Sequence, residues 1–376
     1  MKKLLSAVIF LLAVIGGLTL WNRQLTTSRQ ASSPTKTLVI YNWGDYIDPA
    51  LITKFEKQTG YHVDYETFDS NEAMLTKIQQ GGTRYDLAVP SEYTVTRMAK
   101  AHLIRPLDHQ QLPNLQNIDP RLLNQSFDPR NKYSVPYFWG TLGIIYNDRL
   151  VKNPPQHWNQ LWEPRFHKQE MLLDSARDMM GIALITQGHS VNTTDTATLV
   201  AAEQKLTHLM PNTRAVVGDE MKLYLERNEA ALGVTYSGDA AEMMAVNSHL
   251  HYVVPSEGSN IWYDNFVIPK TAKNTKAAYA FINFMLEPKH AAQNADYVGY
   301  ATPNRQAKKY LDPEIINNKA FYPDERTMEH LEVYKDLPRK VNQTYNDLFL
   351  KFKMRQIAIN KLNTSSKHFS HKDFNG

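Results

Sequence analysis

The alternation of strand-like and helix-like patterns between residues 37 and 102 constrains the fold of this chain most. Strand patterns occupy the β-branched run Thr37–Ile40, the period-two stretch 61–68 and the short apolar run Asp86–Pro90. Helical spacing fills the intervals, beginning near Pro49 and near Asn71, which we expect to cap the second helix. The order β-α-β-α-β predicts a parallel sheet, and ligands of such sheets bind at the carboxyl ends of the strands.

Two extended apolar runs divide the rest of the chain. Tyr137–Asn147 and Asn260–Pro269 flank a second α/β pattern that starts near Met171. Single cores stop growing at about 250–300 residues, and this chain has 376. We therefore expect two lobes connected by these runs, with a third crossing at Tyr297–Arg305, and closure by hinge bending. No internal repeat is visible.

The predicted organisation has five parts. They are an N-terminal signal or anchor segment (1–21), a polar linker (22–36), lobe one (37–142 with 263–308), lobe two (143–262 with 309–358) and a disordered polar tail (359–376).

The N-terminus has the pattern of a targeting segment. Lys2 and Lys3 precede an apolar run from Leu4 to Leu20. This run is near the lower limit of about 17 residues for a spanning helix and is longer than a usual signal core of about 7–15. No good small-x-small cleavage site follows. We expect an uncleaved membrane anchor with the body outside the cytoplasmic membrane, at the cell surface or in the periplasm; a cleaved signal peptide is the alternative.

Charge and composition exclude several functional classes. The chain has no cysteine, so disulfides, thiolate catalysis, cysteine-based metal sites and a lipid-modified cysteine are excluded. Residues 1–35 and 351–376 carry ten of the 42 basic residues and one of the 38 acidic ones, which leaves an acidic body. An acidic body argues against nucleic acid as a partner and favours a cationic ligand.

Catalytic motifs are also missing. The chain contains no phosphate-binding, dinucleotide-binding, zinc-protease or nucleophile-elbow motif. His249 and His251 are the closest pair of histidines, and two histidines on one strand more often face solvent than a metal. We therefore expect no enzyme, no cofactor and no metal.

The stretch from Trp43 to Tyr46 places an indole, a carboxylate and a phenol at the end of the first strand. A carboxylate flanked by aromatic rings suits an organic cation, because the acid supplies charge and the ring faces attract ammonium groups. Taken alone, the motif is better explained by ordinary core aromatics. A similar pair recurs at Trp262 and Asp264, where the acid interrupts an apolar run and needs a partner.

Together, several motifs carry a resemblance to a known family. They are Tyr41-Asn42-Trp43, Asp86–Ser91, Tyr137–Gly140, Trp262-x-Asp264 and Gly299-Tyr300-x-Thr302-Pro303-Asn304. Over residues 36–355 the chain resembles the extracellular spermidine/putrescine-binding subunit of bacterial ABC importers. The resemblance implies an α/β fold, the two-lobed periplasmic-binding-protein clamshell. It also implies a polyamine ligand in the interlobe cleft, ABC permease subunits as partners and a monomer.

The same resemblance implies a set of ligand-binding residues, with Asp264 as the main amine anchor. The set is Trp43, Gly44, Asp45, Tyr46, Tyr93, Ser175, Asp178, Tyr236, Asp239, Trp262, Asp264 and Tyr300. The chain departs from the family at three positions. Ser175 stands where spermidine binders often have Asp, Asp239 matches an acid of the putrescine-binding branch, and Tyr334 falls where spermidine binders place an amide. These departures leave the choice between spermidine and putrescine open.

Two other readings remain at this point. A protein of the same fold could bind another solute such as a sugar, iron or an anion, since a fold does not determine the ligand class. A membrane-tethered polyamine sensor is also compatible with the sequence.

Overall fold

The computed structural model describes residues 36–218 and 220–370, with side chains as far as Gln356. The predicted anchor, residues 22–35 of the linker and the last six residues of the tail lie outside the described residues. Within those ranges no helix combines the length and the apolar character needed to cross a bilayer.

Ten strands are described. They are β1 (Thr37–Trp43), β2 (His62–Phe68), β3 (Leu87–Ala88), β4 (Ser134–Asn147), β5 (Glu170–Leu173), β6 (Thr213–Val217), β7 (Leu232–Tyr236), β8 (Leu250–Val253), β9 (Ser259–Val267) and β10 (Leu331–Glu332).

The described α-helices alternate with the strands in each half. They are α1 (Pro49–Thr59), α2 (Asn71–Gln80), α3 (Glu92–Lys100), α4 (Ala176–Ile185), α5 (Thr196–Thr207), α6 (Met221–Glu226), α7 (Ser237–Val246), α8 (Thr275–Met285), α9 (Pro288–Val298), α10 (Pro313–Ile316), α11 (Glu325–Met328) and α12 (Arg339–Ser370). Short 3-10 helices punctuate the loops, four of them between His109 and Asn131.

The first half confirms the predicted parallel sheet. β1 pairs in parallel with β2 on one side and with β3 on the other. Helix α1 begins where the Asp48 side chain accepts a hydrogen bond from Ala50 N at 2.8 Å. It ends at Gly60, whose φ of 73° is available to glycine without strain. The parallel pairing of β1 and the cap at Asp48 place the end of β1 and the start of α1 at the same edge of the sheet.

Strands β4 and β9 connect the two halves, as the sequence predicts. β4 pairs antiparallel with β9 between Ser134 and Thr141 and then with β7 between Leu142 and Tyr146. The strand order is β2-β1-β3-β9-β4-β7-β5-β6, with β8 beside β4 and β10 beside β9. Large hydrophobic cores lie on both sides of the connection, one around Phe55 and Phe281 and another around Trp158 and Met180. This is the predicted two-lobed clamshell architecture.

The third crossing does not lie where the sequence analysis expected it. Tyr297–Arg305 forms only single bridges, such as Trp139 with Ala301, and the chain after it packs Ala307 and Leu311 into the first core. Ala320 touches the second core, and the first side chain of this segment buried within it is Leu337, after β10 has paired with β9. The prediction was wrong because Thr-Pro-Asn resembles an extended crossover locally, whereas helix α9, which the sequence analysis missed, brings the segment back against lobe one. The lobe boundaries stated above remain predictions.

Candidate ligand-binding cleft

A cleft of about 2050 Å³ opens between the two halves, where the carboxyl ends of β1, β3, β5 and β7 meet the crossing strand β9. All of the residues predicted from the sequence line this one cleft. They are Trp43, Gly44, Asp45, Tyr46, Tyr93, Ser175, Asp178, Tyr236, Asp239, Trp262, Asp264 and Tyr300. Their contact with a ligand stays a prediction.

Asp264 lies at the floor of the cleft and is only 6% exposed. The Tyr46 hydroxyl donates to its Oδ2 and the Ser91 hydroxyl to its Oδ1, each at 2.7 Å. Burial raises the pKa of this carboxyl to about 6, while hydrogen bonds from neighbouring side chains, the Tyr46 hydroxyl first among them, oppose the rise. Within the described residues Asp264 forms no ion pair. Neutral hydroxyl donors hold this carboxylate in place, so it can bind a cation.

Ser91 is held in place by Asn71. The Asn71 side chain accepts from Ser91 N and donates to Ser91 Oγ, both at 3.0 Å, and it also donates to the Tyr93 hydroxyl at 3.0 Å. The predicted helix cap at Asn71 is therefore wrong, since Ser70 Oγ caps α2 by accepting from Ala73 N at 3.2 Å. Asn71 instead connects the start of α2 to the cleft.

Asp178 lies in the first turn of α4 and is 3% exposed. Its carboxylate accepts from the hydroxyls of Tyr236 at 2.6 Å, of Tyr334 at 2.7 Å and of Ser175. Burial, together with the nearby Asp178 charge, raises the pKa of both tyrosines well above the usual range, so these hydroxyls stay protonated donors. Tyr334, which the sequence analysis left outside the candidate set, is thus a hydrogen-bond donor to Asp178.

Asp239 has a different environment. The Tyr300 hydroxyl donates to its Oδ1 at 3.2 Å, and the Lys222 ammonium lies 3.2 Å from the same oxygen. Lys222 also pairs with Glu242 Oε2 at 2.5 Å. Of the three acids, Asp239 therefore already has a cationic partner.

Aromatic rings form a continuous row between Asp264 and Asp178. The centroid of Tyr46 lies 5.5 Å from that of Tyr300, which lies 5.2 Å from Trp262, which lies 6.3 Å from Tyr236. All three pairs are edge-to-face, a favourable arrangement of ring quadrupoles. The row ends at one acid through the Tyr46 hydroxyl and at the other through the Tyr236 hydroxyl.

Two glycines allow the row to approach the backbone. A Cβ built at Gly238 would lie 1.9 Å from the Tyr300 ring, and one built at Gly140 would lie 2.5 Å from the Trp262 ring. No side chain fits at those distances. The two glycines therefore set how close Tyr300 and Trp262 lie to α7 and β4.

Of the remaining predicted residues, Gly44 and Asp45 lie at the mouth and Trp43 lies deeper. Gly44 and Asp45 are exposed, and Asp45 adopts a φ of 48°, which Asp tolerates better than most residues. The Trp43 indole nitrogen is buried near the Asp264 carboxylate, and its N–H opposes the rise that burial causes in the pKa of Asp264.

Glu92 and Lys222 are among the charged lining residues that sequence reasoning missed. Glu92 is 1% exposed, and its Oε2 accepts from Tyr263 N at 3.0 Å. Burial raises the pKa of Glu92 to about 8. Its position next to Ser91 at a strand end was a usable signal. Lys222 gave no signal, because a lysine on a short helix is ordinarily a surface residue.

The lining carries more acid than base. Within the described ranges, ten Asp and Glu side chains line the cleft, against Arg97, Arg177, Lys222 and Arg339. Among the described residues no group of three or more His, Asp or Glu side chains is arranged to hold a metal ion. His249 and His251 both contact Asp148, at 2.9 and 3.0 Å, outside this cleft.

Comparison with known proteins agrees with this geometry. The family model of bacterial extracellular solute-binding proteins matches residues 50–323. The spermidine/putrescine-binding periplasmic protein of Salmonella typhimurium is 38% identical over 344 residues, covering 89% of this chain and 98% of the relative. The putrescine-binding periplasmic protein PotF of Escherichia coli K12 is 32% identical, covering 85% and 91%. The crystal structure of the spermidine/putrescine ABC transporter substrate-binding protein PotD from Streptococcus pneumoniae superposes with a TM-score of 0.81 at 55% identity, covering 85% of this chain and 99% of that one.

Proposed function

The chain belongs to the bacterial extracellular solute-binding protein family, and from this premise we propose that it captures a polyamine, spermidine or putrescine, in the cleft and delivers it to an ABC permease. The relatives described above are solute-binding proteins, not enzymes.

One observation carries the proposal. Asp264 is a buried carboxylate with two hydroxyl donors and no ion pair within the described residues. Burying a charge without a counter-charge costs several kcal/mol. A ligand ammonium supplies the missing charge, so the site gains most from a cation.

The second acid and the ring row match the rest of a polyamine. At the other end of the row from Tyr46 to Tyr236, Asp178 offers a carboxylate that accepts hydrogen bonds from hydroxyl groups. Methylene groups packed along these rings contribute about 0.8 kcal/mol each, and an ammonium over a ring face about 0.5–2 kcal/mol. After the cost of ordering a flexible chain, affinity in the micromolar range (about −8 kcal/mol) is expected.

Delivery requires a partner and a location outside the cytoplasmic membrane. The relatives from Salmonella typhimurium and Escherichia coli are periplasmic proteins, and we infer an extracytoplasmic location for this chain. Tethering through residues 1–21 and a monomeric state are parts of the same proposal. A membrane-tethered polyamine sensor remains the alternative that uses the same cleft.

Isothermal titration of the purified chain with putrescine and spermidine tests the proposal, with maltose and ferric citrate as comparison solutes. We expect micromolar binding of at least one polyamine and none of the comparison solutes. Failure of both polyamines to bind at millimolar concentration would refute it, and binding of a comparison solute instead would identify another ligand class for the fold.

A further inference from the structure

We propose that Lys222 determines ligand specificity: its ammonium holds Asp239 as an internal substitute for a ligand amine, so that of the three acids along the aromatic row Asp264 and Asp178 accept ligand ammonium groups and Asp239 does not. This inference rests on the proposed polyamine function.

The contacts of Lys222 define its role. Its ammonium lies between two acids of α7, 3.2 Å from Asp239 Oδ1 and 2.5 Å from Glu242 Oε2. Asp239 and Glu242 are three residues apart and so lie on one face of the helix. Lys222 and Asp239 are partly buried, and all three residues line the cleft. The lysine therefore occupies space that faces the ligand.

The backbone that carries Lys222 is well packed. Its neighbour Met221 is buried, and Leu225, one turn further along α6, is also buried in the second core. A Cβ added at Gly233 would lie 2.9 Å from the Met221 sulfur, so α6 sits tightly on β7. The ammonium is thus presented to Asp239 from a fixed element.

The other two acids along the aromatic row have neutral partners. The donors to Asp264 and Asp178 are hydroxyls, which carry no charge and do not repel an ammonium. An amine approaching Asp239 must displace Lys222 or accept its repulsion. A diamine can satisfy the two open acids, whereas a triamine gains nothing from its third charge near Asp239.

Titration of the full chain and of Lys222→Met with putrescine and spermidine tests this inference. We expect the variant to shift the ratio of the two affinities toward spermidine by about tenfold, because removing the Lys222 ammonium ends its repulsion of a third ligand ammonium near Asp239. Lys222→Gln, which keeps a polar side chain, should shift the ratio in the same direction and serves if the methionine variant folds poorly.

Lys319→Met is the matched control. Lys319 pairs with Asp324 at 3.0 Å on the surface, with 76% of its side chain exposed, and does not line the cleft. The inference would be overturned if the wild type binds polyamines but both Lys222 variants keep the spermidine-to-putrescine affinity ratio within about twofold of the ratio for Lys319→Met. The proposed function would then still stand. Absence of polyamine binding by the wild type would overturn both.

Discussion

Tyr46 and Asp264 are separated by 218 residues in the chain, yet the Tyr46 hydroxyl donates to the Asp264 carboxylate at 2.7 Å. The tyrosine follows β1 and the acid lies in β9, two strands that β3 separates in the sheet. The contact joins the first motif of the sequence to the returning crossover. It holds the Asp264 carboxylate at the floor of the cleft without neutralising its charge.

Asp264→Asn should weaken polyamine binding by about 2–5 kcal/mol, because a buried ligand ammonium loses its charge partner. The ligand-free protein should not lose comparable stability, because the change removes an unpaired buried charge. Calorimetric titration and thermal unfolding measure the two quantities. Asp324→Asn, on the surface, is the control, and equal affinity of Asp264→Asn and wild type would remove Asp264 from the site.

Polyamine affinity should fall as the pH drops below about 6. Burial raises the pKa of Asp264 to about 6, so below that pH the anchor is protonated while the amines keep their charge. Each pH unit below the pKa costs up to about tenfold in affinity. Titrations at pH 7.5 and 5.0 should differ by about tenfold in the wild type and much less in Asp264→Asn; a flat wild-type profile would contradict the assignment.

Ser175→Asp should shift preference toward spermidine. The Ser175 hydroxyl now donates to Asp178 and its oxygen accepts from the helix nitrogen of Asp178. Aspartate caps helices as well as serine does, so the helix start should survive while a further acid enters the cleft. Parallel titrations with the two polyamines measure the ratio, and an unaltered ratio would show that this position does not read the third amine.

Gly238→Ala should weaken binding by about tenfold and destabilise the protein by about 1–3 kcal/mol, the usual cost of overpacking. The added carbon would lie 1.9 Å from the Tyr300 ring and must displace it from Asp239 and Trp262. Gly82→Ala is the control, since nothing lies within 4 Å of its added carbon. Unchanged affinity in Gly238→Ala would mean that Tyr300 does not contribute to the site.

Glu92→Gln should stabilise the ligand-free protein at pH 9 but not at pH 5. Burial raises the pKa of Glu92 to about 8 from an ordinary value of 4.5, while the Asp264 charge adds to the rise and Arg177 opposes it. As the pH rises, the unfolded chain loses this proton before the folded protein does, so the free energy of unfolding falls between pH 4.5 and 8. Replacing the carboxyl should raise the free energy of unfolding by about 2–4 kcal/mol at pH 9.

Glutamine can still accept from Tyr263 N, so the hydrogen bond survives in this variant. Denaturant titrations at the two pH values measure the difference. The same gain at both would show that Glu92 does not titrate in this range.

Local pattern was sufficient for a large part of the fold. Period-two and helical spacing predicted β1, β2 and their helices, and the two apolar runs predicted β4 and β9, because these features depend on neighbouring residues only. Asn71 illustrates the limit. Its position before an apolar helix suggested a cap, but its side chain found better partners in Ser91 and Tyr93, twenty or more residues away.

The sequence by itself determined the α/β alternation, the two crossing strands and a set of aromatic and acidic residues at strand ends, because each is encoded in spacing along the chain. Only the tertiary structure decided which of these acids has a cationic partner within the protein and which does not. Asp264 and Asp178 are held by hydroxyls, whereas Asp239 is paired with Lys222. The environment of a charge depends on groups brought together from distant parts of the chain, and no local pattern records those contacts.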